Sequence, residues 1–88
     1  MKAIITVVGK DKTGIVAGVS TKIAELGLNI DYISQTVLEE YFTIMALVSS
    51  DEKQDFTALR NEFEAFGQEL NVKINIQSAA IFDAMYNI

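Results

Sequence analysis

Two stretches carry apolar residues at successive positions, and they restrict the fold more than any other feature of the chain. Lys2–Val8 places Ala3, Ile4, Ile5, Val7 and Val8 around a single Thr6, and Tyr41–Val48 runs Tyr-Phe-Thr-Ile-Met-Ala-Leu-Val. Both read as strands whose two faces are to be covered, which places them in the interior of a sheet. Two further stretches are more mixed. From Asn29 to Leu38 the residues Ile30, Tyr32, Ser34, Thr36 and Leu38 fall on one face and Asp31, Ile33, Gln35 and Val37 on the other, while Val72, Ile74 and Ile76 alternate with Lys73, Asn75 and Gln77. These patterns suit edge strands.

Helical periods separate the strands. Ile15, Val16, Val19, Ile23 and Leu26 recur at helical spacing, and Gly27 supplies a stop. Gly18 lies inside that helix at a cost of about 1 kcal/mol relative to alanine, which suggests close packing there. Ser49-Ser50-Asp51-Glu52 carries capping and acidic residues that suit a second helix start, followed by Phe56, Leu59, Phe63, Phe66 and Leu70 and ended by Asn71. Glu39-Glu40 divides the second and third strands as a hairpin turn, although it lacks the usual Gly or Asn. The segment from Ala79 to Ile88 places Ile81, Phe82, Met85 and Tyr86 on one side of a short helix. The order is β-α-β-β-α-β, so the expected fold is α+β: a ferredoxin-like sandwich with a four-stranded antiparallel sheet, two helices on one face and a short C-terminal helix. Residues 1–88 are expected to form one domain.

The junction between the first strand and first helix is where chemistry is expected. Val8-Gly9-Lys10-Asp11-Lys12-Thr13-Gly14-Ile15-Val16 is a polar turn with a glycine at each end, from which a helix departs. The first N–H groups of a helix lack intrahelical acceptors and sit at the positive end of its dipole, so a small anion is favoured there. Asp11 offers the opposite sign close by, and the two together suit the two ends of an amino acid. The same residues also serve to turn a chain and cap a helix.

Composition removes several other classes of function. With no His and no Cys, the chain lacks the commonest general acid/base and transition-metal ligand, along with thiolate sites and disulfides. Its formal charge of −5, from 7 basic and 12 acidic residues, opposes nonspecific nucleic-acid binding, which draws on phosphate neutralisation. Tyr41 and Phe42 are therefore better read as packing residues than as a base-stacking platform. Gly9-x-x-x-x-Gly14 has the glycine spacing of a P-loop, but Ile15-Val16 stands where its Lys-Ser/Thr belongs. No apolar run approaches the ~20 residues that span a bilayer, and Thr6, Gly9, Lys10 and Asp11 interrupt any signal-peptide core, so a cytoplasmic location is expected.

The run Thr6–Val16, the helix after it and Leu26-Gly27-Leu28-Asn29-Ile30 resemble the signature of ACT domains, small regulatory modules attached to enzymes of amino-acid metabolism. The resemblance extends over essentially the whole chain. It is strongest to the stand-alone, single-domain bacterial members, which also end in a segment like Phe82-Asp83-Ala84-Met85. It implies a ligand site between two subunits, with Asp11, Thr13, Gly14, Ile15 and Val16 from the turn of one and Asn29 and Ile30 from the second strand of the other. Asp11 suits an ammonium group, whereas Thr13 replaces a proline common among relatives. The implied protein is a non-enzymatic amino-acid-binding module, a homodimer or higher oligomer, with no cofactor, no catalytic residue and no metal, acting on an unknown enzyme or regulator. A second expectation is an interaction module that docks a protein through its sheet edge or open face. A small enzyme of acylphosphatase type has the same topology, but its Arg-containing phosphate cradle has no counterpart here.

Overall fold

The computed structural model describes residues 1–10 and 14–80. Its elements are β1 (Lys2–Gly9), α1 (Ile15–Glu25), β2 (Asn29–Leu38), β3 (Tyr41–Ser49), α2 (Phe56–Leu70) and β4 (Lys73–Ser78). The sheet order is β2-β3-β1-β4, and every neighbouring pair is antiparallel. The two doubly apolar strands are central and the two mixed strands are edges, giving the ferredoxin-like arrangement. No helix among the described residues is long and apolar enough to cross a membrane.

One face of the sheet carries the core. Ala3, Ile5 and Val7 of β1 pair with Val48, Ala46 and Ile44 of β3, and Ile76 and Ile74 of β4 flank Ile5 and Val7. All are buried and form one cluster with Ile15, Val19 and Ile23 of α1 and Leu59 and Phe63 of α2. The opposite face carries neither helix. Among the described residues nothing encloses it: Val8 and Met45 are each 44% exposed, and Ile4, Thr6 and Leu47 are only half-buried. Both helices pack on the other side because each has a single apolar stripe and the right-handed crossovers carry them to the same face.

Three local details correct the sequence reading. First, α2 does not begin at Ser49–Glu52. Its N-cap is Asp55, whose Oδ1 accepts from the N–H groups of Thr57 (3.0 Å) and Ala58 (3.3 Å). Ser50 is instead buried beside the N-terminus: its Oγ accepts from the Glu52 N–H at 3.1 Å, and its carbonyl accepts from the Met1 ammonium at 2.8 Å. Serine and aspartate bond local backbone in both caps and turns, so residue type alone did not separate the two. Second, β2 does not alternate uniformly. A bulge between Ile30 and Tyr32 puts Ile30 opposite buried Val48 and Tyr32 opposite Leu47, so Ile30 shares the helix-side face with Ile33, Gln35 and Val37. One extra residue in a strand reverses the facing of everything on one side of it. Third, Gly18 is not a close-packing position, since a Cβ there would meet Phe66 and Leu70 only at 3.6 and 3.7 Å. The expected helix over Ala79–Ile88 falls outside the described residues beyond Ala80.

The helix stops match the expectation. Gly27 has φ +76°, with its N–H donating to the Ala24 carbonyl and the Leu28 N–H to that of Ile23. Asn71 has φ +57° and repeats the pattern, the Val72 N–H reaching the Gly67 carbonyl at 2.9 Å. Both arrangements satisfy carbonyls that a helix end leaves open. The Glu39–Glu40 hairpin closes with Glu39 at φ +54°, a conformation that glycine or asparagine would adopt more readily. Lys22 ties the helices together through a 3.0 Å ion pair with Glu62.

Within the helices, the close approach is at Gly67 rather than Gly18. A Cβ there would stand 2.8 Å from the Val72 carbonyl oxygen and 3.3 Å from Ile74 Cγ1. Gly67→Ala is expected to destabilise by about 1–3 kcal/mol through overpacking, outweighing its gain of up to about 1 kcal/mol in helix propensity. Gly18→Ala retains that gain with ordinary contacts. Thermal melts of the two variants should shift in opposite directions, Gly67→Ala downward.

Candidate functional site at the junction of β1 and α1

Gly14 sets the direction in which α1 leaves the sheet. It is the N-cap, with φ 74° and ψ −4°, and no side chain caps the helix. The first helical bond runs from the Gly18 N–H to the Gly14 carbonyl at 2.9 Å. In a helix that starts this way, the N–H groups of Ile15, Val16 and Ala17 precede the first intrahelical bond and point out of the helix end. Ile15 is 5% exposed and belongs to the core, while Val16 is half-buried against it. Only their backbone is suited to meet a ligand. Asp11 and Thr13 lie outside the described residues.

Asn29 and Ile30 are exposed at the start of β2. Strand register fixes their height on the sheet. Asn29 pairs with Ser49, which pairs with Lys2, so Asn29 is level with the beginning of β1. Gly9, where β1 gives way to the turn, pairs with Phe42, which pairs with Val37 at the other end of β2. The two groups of expected site residues are therefore separated by the length of β1, about 23 Å at the usual strand rise. One chain brings Gly14, Ile15 and Val16 together, but it does not bring them to Asn29 and Ile30.

A surface cavity of about 670 Å³ opens at the turn end of the sheet, lined in part by Gly9, Lys10, Tyr41, Asn71, Val72 and Lys73. The Lys10 Nζ stands 5.5 Å from the centre of the Tyr41 ring. The sequence reading did not single out Lys10 or Lys73, because they are far apart in the chain and meet only when β1 pairs with both β3 and β4. Gly9 has a packing reason for being glycine: a Cβ there would stand 2.6 Å from Val72 Cγ1 and 3.0 Å from the Phe42 ring.

A family model described as ACT domain matches residues 2–77. The UPF0237 protein of Streptococcus pneumoniae serotype 4 is 90% identical over 88 residues, covering 100% of both chains. A solved ACT domain protein from Streptococcus pneumoniae superposes with a TM-score of 0.91 at 90% identity, covering 98% of each chain. The regulatory subunit of aspartate kinase from Thermus thermophilus, in a ligand-free form, has a TM-score of 0.65 at 24% identity, covering 86% of this chain and 50% of the other. At that identity the likeness is one of fold.

Gly14 has no atom within 4 Å of where a Cβ would stand, so a substitution there carries the backbone cost alone. Gly14→Ala is expected to destabilise by about 1–2 kcal/mol. Gly14→Asn should cost less, because asparagine visits the left-handed region. Equal melting of all three proteins would show that the junction relaxes without glycine.

Proposed function

The chain belongs to the ACT-domain family, whose members are regulatory ligand-binding modules, and from that premise we propose that it binds a small amino acid between two copies of itself. The backbone N–H groups of Gly14, Ile15 and Val16 take the carboxylate, where the helix end concentrates partial positive charge. Asp11 takes the ammonium. Asn29 of the second copy adds a donor and an acceptor, and Ile30 closes the apolar side. Thr13 lines the turn. The module acts in the cytoplasm as one domain of residues 1–88, performs no chemistry of its own, and passes ligand occupancy to an enzyme or regulator.

The observation that carries this reading is the separation of the two half-sites. A site built from the β1–α1 junction and the start of β2 needs a second chain, because one chain holds them at opposite ends of its sheet. Exposure favours β2 as the meeting edge: every residue of β2 except Ser34 is exposed, including Tyr32 at 63% and Leu38 at 72%. A strand edge with free backbone groups and apolar side chains is suited to an isologous contact.

Thermal melting against single amino acids tests the ligand. At 100 times its Kd a ligand adds about 2.7 kcal/mol, which for a domain of this size raises Tm by roughly 4–8 °C per kcal/mol. The free amino acid is expected to work, whereas its N-acetyl and amide derivatives fail for want of the ammonium or the carboxylate. Asp11→Ala should abolish the shift. Asn29→Ala should reduce affinity by about 0.5–1.5 kcal/mol, the net worth of one hydrogen bond. Sedimentation equilibrium supplies the other arm: a mass of one chain with ligand bound would overturn the two-copy site, and no response to any amino acid would overturn the sensor.

A further inference from the structure

The cavity at the turn end of the sheet is a step between strands of unequal reach. β1 runs past the start of β4: Val8 pairs with Lys73, whereas Gly9 pairs with Phe42 of β3 and with no residue of β4. The α2–β4 turn borders the step, with Asn71 at φ +57° and Val72 against Gly9. Val8, Tyr41 and Lys73 each adjoin a core residue of their own strand, Val7, Phe42 and Ile74 respectively, so all three face away from the helices. Lys10 reaches the same side, its Nζ 5.5 Å from the centre of the Tyr41 ring.

The charge of this cavity is opposite to that of the chain. Lys10 and Lys73 line it and, among the described residues, no acidic side chain does, although the chain has 12 acidic and 7 basic residues. A smaller neighbouring hollow of about 380 Å³ shares Lys73 but is better balanced, since Arg60 and Glu64 both line it. The C-terminal end of α2 also borders the larger cavity and brings partial negative charge, about half an elementary charge. Two of its open carbonyls, those of Gln68 and Gly67, are already bonded by the N–H groups of Asn71 and Val72. Two full positive charges outweigh what is left. Val8, Val72 and the Tyr41 ring, 45% exposed, supply apolar wall, and about 670 Å³ is the size of a small-molecule site.

We propose that this cavity binds a small phosphate monoester. Lys10 and Lys73 hold the phosphate, Asn71 offers its side-chain amide, and the organic part lies against Val8, Val72 and the Tyr41 ring. Ammonium groups act as point charges that suit a compact dianion, whereas a planar carboxylate is met best by the fork of a guanidinium. Arg60 lines the neighbouring hollow instead. The site is separate from the one proposed for an amino acid. None of Gly14, Ile15, Val16 or Asn29 lines it, and one chain completes it.

Phenyl phosphate titrated into the isotope-labelled full chain, followed by backbone amide chemical shifts, tests the assignment. Saturable shifts are expected at Gly9, Lys10 and Asn71–Lys73, weakening with added salt. Phenol should give none, and benzoate should bind more weakly than phenyl phosphate. Lys10→Ala and Lys73→Ala should each reduce affinity by about two- to fivefold, whereas Lys53→Ala, which removes a lysine that lines neither hollow, should leave it unchanged. Absence of saturable shifts would overturn the proposal, as would shifts centred on Gly14–Val16, equal binding of benzoate, or an equal loss in Lys53→Ala. Phenyl phosphate carries no amine, so each of these outcomes leaves the amino-acid reading to its own test.

Discussion

Antiparallel pairing of β1 with β3, from Lys2 opposite Ser49 to Gly9 opposite Phe42, fixes the position of every other feature. It places Ala3, Ile5, Val7, Phe42, Ile44, Ala46 and Val48 on one side, and this surface is what the two helices bury. It also assigns the loops to ends of the molecule. The β1–α1 junction, the β2–β3 hairpin and the α2–β4 turn share one end, while the N-terminus, the start of β2 and the exit from β4 share the other. Backbone hydrogen bonds enforce this order because a slip of one residue would turn the core row outward.

The turn end is held by close backbone contacts. Val72 follows the left-handed Asn71 and packs against both Gly9 and Gly67, each of which lacks room for a Cβ. Glycine has a different purpose at Gly14, where space is free and the conformation alone is demanding. The same residue type thus serves packing at two positions and helix direction at a third. Only the last bears on the proposed amino-acid site, because it sets where the free N–H groups of α1 point.

An 88-residue chain buries a modest share of its surface and gains from any further cover. Here α1 and α2 cover one face. β2 is exposed on both sides and bulged at Asp31. A bulge twists a strand and interrupts its edge, so a second copy pairing there would meet Ile33–Leu38 as the more regular half.

The sequence by itself determined the element order, the two central strands, the helix stripes and the stops at Gly27 and Asn71, because each is encoded by periodicity or by backbone preference within a few residues. It also identified the β1–α1 junction, whose helix end and glycines are local features, and the family resemblance that the comparisons bear out. Tertiary structure decided what depends on register. The bulge at Asp31 moved Ile30 to the helix side, and Ser50 proved to anchor the N-terminus while Asp55 caps α2. Lys10, Tyr41 and Lys73 came together at one cavity, and Asn29 fell at the opposite end of the sheet from Gly9. These outcomes depend on which residue lies opposite which across three strand pairings, a relation between distant segments that no local pattern contains.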